Sequence, residues 1–291
     1  MNQKNWLFYS IYPGNAGYLD EVIERLVKPS VSFFKDEIEN WFFMRYWDHK
    51  GTHIRLRFLA SPEIEEKIKH WFSLHALLIL EEIRQEKPKK VNKLIPAPEY
   101  QDGKVAVEIN NYEPEYSKYG GEEGVGIAEQ LFRTSSEMVL HILREENQQF
   151  SKANVSLLVL KKSIEGSIRK KKQYMRFLEN YFDYWTGGDY EGAEAIKTKI
   201  STAAIKRSEV IKNIWKEISS NQEMNQLIDS YLKKLKETQK LIKDATNIHQ
   251  EFTDLLFHYI HMTNNRMGIS TLEEAYLAKL LLVLEEEYAF K

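Results

Sequence analysis

No cysteine occurs anywhere in the 291 residues, and that one absence removes a block of chemistry. Disulfides, a thiolate nucleophile, cysteine-ligated zinc and iron-sulfur clusters are all excluded. Net charge is nearly absent as well, since 41 basic against 43 acidic residues leave −2, so the total does not indicate a general polyanion binder. No apolar run approaches the about 20 residues that a membrane helix needs. The N-terminus MNQKNWLFYSIYPG is too polar, and too soon interrupted, for a secretory signal. Internal repeats and low-complexity tracts are lacking. There is no GK[ST] sequence, which excludes a Walker phosphate loop, and no HExxH zinc motif. What remains is an ordinary globular composition, long enough to bury a real core, in a chain that reads as soluble and cytoplasmic.

The most informative stretch is WFFMRYWDHKGTHIRLRF, residues 41–58, which reads as two short strands joined around Asp48 to Thr52. Alternation puts His53, Arg55 and Arg57 on one face and Ile54, Leu56 and Phe58 on the other. In the first strand Phe43, Arg45 and Trp47 face one way, and Phe42, Met44 and Tyr46 the other. A turn closing symmetrically near Lys50 sets Arg45 about opposite Arg55. Opposed like charges destabilise a sheet by about 0.2–1 kcal/mol, so something must offset them. Either the arginines lie on a solvated face, or they form a cationic floor for a carboxylate, to which guanidinium offers a planar fork of donors.

In chain order, NWLFYSIY (5–12) reads as a strand ended by Pro13-Gly14. Leu19, Val22, Ile23 and Leu26 have helical spacing up to Val27, where Lys28-Pro29 breaks the segment. Val31 to Ile38 reads as a second short helix. Ser61-Pro62 starts a helix to Gln85, with a stripe of Ile64, Ile68, Trp71, Leu74, Leu78 and Ile79. An irregular connection with an edge strand is expected over 89–103. KVAVEIN follows as a strand burying Val105, Val107 and Ile109 on one face. The order strand, helix, strand, strand, helix, strand predicts a ferredoxin-like antiparallel sheet over 1–121. Residues 112–121 read as a loop, and helix dominates 122–291, with segments expected near 122–147, 151–170, 173–185, 189–219, 222–245, 247–263 and 271–288. The fold class is α+β, in one domain spanning 1–291.

Three further clusters have simple readings beside sharper ones. Lys161-Lys162 and Arg169 to Lys172 could touch RNA or an acidic peptide, but no aromatic platform interleaves them, and a solvated helix face suffices. Gly120, Gly121, Gly124 and Gly126 shape a tight entry into a helix whose start could hold an anion. His258 and His261 share a helix face at a spacing two metal ligands could use, yet no third ligand accompanies them. With the helix ending near Asn264-Asn265, His261 falls in its last turn and Arg266 just beyond, where a cation suits the helix dipole and a histidine suits proton transfer.

Taken together, RYWDHKGTHIRLRF (45–58), YEPEYSKYGG (112–121) and HMTNNR (261–266) resemble, in order and spacing, the C-terminal domain of lantibiotic dehydratases, also described as the thiopeptide-type bacteriocin biosynthesis domain. The resemblance covers nearly the whole chain, from the Trp6 strand to the last helix. The larger glutamyl-transfer region of full-length dehydratases does not fit in 291 residues, so a stand-alone form is expected. The family implies chemistry on a ribosomally made precursor peptide: either β-elimination of glutamate from a glutamylated Ser or Thr, leaving dehydroalanine or dehydrobutyrine, or a [4+2] cyclisation of two dehydroalanines into a pyridine or dehydropiperidine ring.

Elimination requires a base at a weakly acidic Cα–H, a stabilised enolate and donors for a carboxylate leaving group. Carried over by motif, Arg55 and Arg57 match the arginines that hold glutamate, and His261 matches the histidine of proton transfer. Arg45, His53, Glu115, Lys118, Tyr119 and Arg266 are assigned to substrate binding around them. The departure is Lys118, where the elimination enzymes carry arginine before YGG; lysine keeps the charge but loses the bidentate fork. Retention of Arg55, Arg57 and His261 favours elimination over cyclisation, and a non-catalytic leader-binding subunit is the remaining alternative. The resemblance implies a lyase without cofactor or metal. Its partners would be the precursor peptide and a separate glutamyl-tRNA-dependent transferase, with a homodimer allowed and no membrane or nucleic acid. Arginine strand and histidine are expected to converge on one cavity.

Overall fold

The computed structural model describes residues 4–89, 103–145 and 151–289. Four antiparallel strands, β1 (Asn5–Pro13), β2 (Asn40–Asp48), β3 (Gly51–Ala60) and β4 (Val105–Asn110), form one sheet in the order β2-β3-β1-β4. This is the ferredoxin-like arrangement expected from the element order. Helix α3 (Pro62–Gln85) covers one face, where Tyr9 stacks on Phe72 at 4.1 Å between centroids and Phe58 meets the same ring edge-on at 6.0 Å. Pro62 opens α3 as predicted, but Ser61 makes no side-chain cap.

Several local readings are corrected by the tertiary context. The buried stripe of α3 is Ile68, Phe72, Ala76, Leu80 and Ile83, while Leu74 and Leu78 are 52% and 61% exposed. Apolar residues on α3 support more than one stripe, and the stripe carrying small Ala76 is the one turned to the sheet. Lys28-Pro29 does not end the first helical segment. A turn of 3-10 helix (Ala16–Tyr18), α1 (Leu19–Val22), a π-helical turn (Ile23–Val27) and α2 (Lys28–Phe33) run on without a break, and Pro29 follows directly on the π-helical turn. The helix expected over Val31 to Ile38 stops at Phe33 and gives way to turns. β4 is an edge strand, half-buried at Val105 and Val107 and exposed at Ile109. The expected edge strand within 89–103 falls, beyond Lys89 and before Gly103, outside the described residues.

The hairpin register matters most for function. Asp48 pairs with Gly51, so Met44 lies opposite Arg55, Phe42 opposite Arg57 and Arg45 opposite Ile54. The expected opposition of Arg45 and Arg55 is off by one residue, and a one-residue slip moves a side chain to the other face of the sheet. Arg45 therefore points away from Arg55 and Arg57, and the anticipated like-charge pair does not form. On β1, Phe8 pairs with Arg57 and Ser10 with Arg55. The face opposite α3 thus carries Phe42, Met44, Tyr46, His53, Arg55, Arg57, Phe8 and Ser10.

The rest of the described chain is mostly helical: α4 (Tyr116–Tyr119), α5 (Gly121–Glu145), α6 (Lys152–Ser167), α7 (Lys171–Trp185), α8 (Ala193–Ser220), α9 (Gln222–Asp244), α10 (Phe252–Met267) and α11 (Thr271–Ala289). The stretch read as a loop at 112–121 contains α4 and buries Tyr119. Gly124 is required there, because a Cβ on it would stand 1.7 Å from the Tyr119 carbonyl oxygen. Helix α10 runs past Asn264-Asn265 and stops at Gly268, whose φ of 84° is the left-handed cap geometry that glycine adopts at little cost. Arg266 is consequently inside the last turn of α10. Lys161 is not part of a solvated face; it is held between Glu165 and Glu285 at 2.7 and 2.6 Å. Among the described residues no helix is long and apolar enough to cross a membrane.

Candidate active site

Strand β3 places its two inward arginines among rings. The Arg57 guanidinium lies over Phe8, Tyr112 and Phe42, at 4.4, 4.7 and 5.1 Å from their centroids. Arg57 is 5% exposed. Its Nη1 donates to the Met44 sulfur at 3.3 Å, a weak acceptor, and its buried Nε has no partner. Burial pushes its pKa down to about 10, so it stays charged at neutral pH. Arg55 is more accessible, with its guanidinium 3.3 Å from the Tyr46 centroid. Among the described residues neither arginine forms an ion pair with a carboxylate. Rings hold the guanidinium planes without cancelling their charge, an arrangement chemically able to receive an anion.

His53 orients this face. It is fully buried, its Nδ1 lies 3.2 Å from the Gly51 carbonyl oxygen, and its Nε2 is 3.3 Å from Arg55 Nε. Burial lowers its pKa, which favours the neutral ring that can accept from Arg55. Arg266 contributes from below. It is 0% exposed, shares the Phe42 ring with Arg57 at 6.0 Å, lies 4.8 Å from the Phe132 centroid, and donates to Ser136 Oγ at 3.1 Å and Met262 O at 2.7 Å. Its Nη2 is buried without a partner, and burial lowers its pKa to about 9. At that depth Arg266 is out of contact with the surface, which sets it apart from the substrate-contacting position expected of it.

Arg45 belongs to the other face. Its Nη2 pairs with Asp20 at 2.6 Å and its Nε donates to the Arg266 carbonyl oxygen at 2.9 Å, so it joins the sheet to the end of α10. Lys118 is engaged by Glu115 at 3.2 Å and lies 5.5 Å from the Tyr119 centroid. Tyr119 is buried against Phe132 and Tyr259, and serves as an anchor for α4.

The HMTNNR motif divides its residues among separate tasks. His261 Nδ1 lies 2.8 Å from Glu274 Oε1, and its ring packs on Trp185 at 4.6 Å. Glu274 is fully buried and accepts from Tyr181 and, at 3.0 Å, from Asn264, which itself accepts from Ser156 at 2.6 Å. Burial raises the Glu274 pKa, with His261 opposing. A carboxylate on Nδ1 fixes the tautomer and leaves Nε2, in a ring 22% exposed, to take a proton. Asn265 bonds the β2 backbone at Arg45.

The expected convergence of the arginine strand and the histidine on one cavity is not seen among the described residues: His261 packs on Trp185 and Glu274, Arg55 and Arg57 pack among Phe8, Phe42, Tyr46 and Tyr112, and the two sets do not touch. His261 faces α7 and α11, whereas Arg55 and Arg57 face away from α3 on the sheet. The turn at 115–118 links them electrostatically: Glu115 acts on both Arg57 and His258, and Lys118 and His261 both act on His258. Burial, then these two neighbours, bring His258 down to about 4. His258 also lines an open groove of about 570 Å³ between α7 and α10, together with Arg169, Arg176, Phe177, Tyr184 and Phe257. Among the described residues no group of three or more histidine or acidic side chains could hold a metal.

Sequence reasoning passed over Glu274, Tyr112 and Glu129. The TLEEAY segment shows acids in the first turn of α11, but which one meets His261 depends on how two helices pack. Tyr112 reads in the sequence as a loop residue; its contact with Arg57 requires β4 to lie beside β1.

The fold is similar to the tRNA-dependent lantibiotic dehydratase MibB from Microbispora sp. 107891, with TM-score 0.66 and 15% identity over 98% of this chain, which spans 28% of the length of MibB. It is similar to TbtD, the pyridine synthase from thiomuracin biosynthesis, with TM-score 0.69 and 13% identity over 99% of this chain and 100% of that one. It is also similar to TsrL, with TM-score 0.65 and 15% identity over 99% and 96% of the two chains. No curated protein matches in sequence. A family model, the C-terminal part of the lantibiotic biosynthesis dehydratase, matches residues 6–284, and the chain belongs to that family.

Proposed function

We propose that the chain is a lyase that eliminates glutamate from glutamylated Ser or Thr of a precursor peptide, beside a separate glutamyl-tRNA-dependent transferase. The observation that carries this reading is the Arg57 guanidinium, buried among three rings with an unpartnered Nε and, among the described residues, no carboxylate in ion-pair reach. Burying a charge without a direct ion-pair partner is costly; an anionic substrate that docks there offsets the cost. Arg55 and Arg57 bind the glutamyl carboxylates, and His261, oriented by Glu274, takes the Cα proton. The Cα–H electron pair becomes the new Cα–Cβ double bond, the Cβ–O bond breaks, and its electrons leave on the glutamate carboxylate. The imidazolium then returns its proton to solvent.

Incubation with a glutamylated peptide, followed by mass, tests the reading. Elimination releases glutamate and leaves a dehydro residue, and Arg57→Ala and His261→Ala abolish it. Glutamyl peptide that stays intact while bound overturns it. One observation favours the cyclisation alternative: Lys118, in place of the elimination enzymes' arginine, is taken up by Glu115, which leaves one donor fewer for glutamate. Supplying a peptide with two dehydroalanines and finding ring formation would select that chemistry.

A further inference from the structure

Behind Arg57 lies a carboxyl group to which the lyase reading gives no task. Glu129, on α5, is 8% exposed, and it accepts from the Tyr112 hydroxyl at 2.9 Å. Among the described residues it forms no ion pair, so a single neutral donor offsets the burial of its charge. The same Tyr112 ring that reaches Glu129 covers the Arg57 guanidinium at 4.7 Å. Besides burial, Tyr112 and Arg57 are the groups that act on Glu129. No charged group on β2, α4, α9, α10 or the turn Ile23–Val27, the described elements packed against α5, is among them. The three groups are joined by successive contacts: carboxyl to phenol, and phenol ring to guanidinium.

We propose that Glu129, acting through Tyr112, is a positioning residue for the Arg57 anion site, which holds an anion tightly when Glu129 is protonated and loosely when it is ionised. The inference rests on reading Arg57 as an anion site. Ionised Glu129 sets a negative charge behind the guanidinium and lowers the potential that a ligand meets; protonated Glu129 leaves that potential intact. Burial pushes the Glu129 carboxyl up to about 6, so the change of state falls in the range where enzymes work. His53 on the same face has a lowered pKa and lies beside Arg55, not Tyr112.

Sulfate, a dianion throughout the range, is a suitable probe, with its affinity measured by calorimetry at about pH 5 and about pH 7.5. The wild type is expected to bind roughly tenfold more tightly at the lower pH. Glu129→Gln keeps an acceptor for Tyr112 and is expected to bind at the tighter level at both pH values. Tyr112→Phe takes away the one donor and is expected to move the midpoint to higher pH, a shift that a merely structural role would not produce. Binding that is lost in Arg57→Gln but has the same pH slope in wild type and Glu129→Gln, or no slope in either, overturns the inference and leaves the anion site standing. Binding unchanged by Arg57→Gln overturns both.

Discussion

Glu274 shows how much a single buried group can organise. Its two oxygens receive His261, Tyr181 and Asn264, so the carboxylate is fully used without a lysine or arginine. Replacing it by glutamine keeps the shape but offers the imidazole one oxygen and one N–H donor. If His261 is the base of the proposed elimination, Glu274→Gln lowers kcat by about 10- to 100-fold with little change in KM, measurable by glutamate release. Glu274→Ala goes further and leaves a buried phenol and amide unpaired, which lowers unfolding free energy by about 3 kcal/mol in denaturant titration. Both effects are expected only if His261 and its neighbours depend on that one side chain.

At the scale of elements, the free edge of β2 is the point of interest, since an unpaired strand edge invites association. Here helices supply the missing strand. Asn265 of α10 accepts from the Arg45 N–H and donates to the Arg45 carbonyl oxygen, both at 2.9 Å, and the Phe43 N–H reaches Ser136 of α5 at 3.3 Å. One side-chain amide thus imitates a neighbouring strand residue. Asn265→Ala is expected to cost about 2 kcal/mol and to raise hydrogen exchange at the Arg45 amide selectively. The close seat of α5 on α4 makes a second test. Gly124→Ala would drive a methyl into the Tyr119 carbonyl, so a melting temperature lower by several degrees, with Tyr119 fluorescence more exposed to quencher, is the expected outcome.

Across the whole molecule, Asp20 ties the sheet to the helical half. It accepts from Arg45 of β2 at 2.6 Å and from Lys152 of α6. Burial alone would raise its carboxyl, but the two cations hold it well below the usual carboxylate range. The folded state therefore binds that proton more weakly than the unfolded chain does. The stabilisation is fully present above the unfolded pKa of about 4 and is lost as pH falls through the lower folded value. Asp20→Asn is expected to be less stable than wild type by about 2 kcal/mol at neutral pH, with the gap closing in acid, as followed by denaturant titration across pH.

The sequence alone determined the strand and helix order, the ferredoxin-like sheet and the presence of arginines on one face of β3, because alternation and helical spacing are local properties of the chain. Motif order carried the family. Register, helix rotation and depth were decided only in three dimensions. A turn centred between His49 and Lys50 rather than on Lys50 sent Arg45 to the far face, packing against the sheet chose the Ala76 stripe of α3, and the docking of α10 on α11 and β2 gave His261, Asn265 and Arg266 three different surroundings within one short motif. Such choices depend on contacts between residues distant in sequence, to which periodicity is blind. Whether a charge meets solvent, a ring or an acid is settled by what packs beside it.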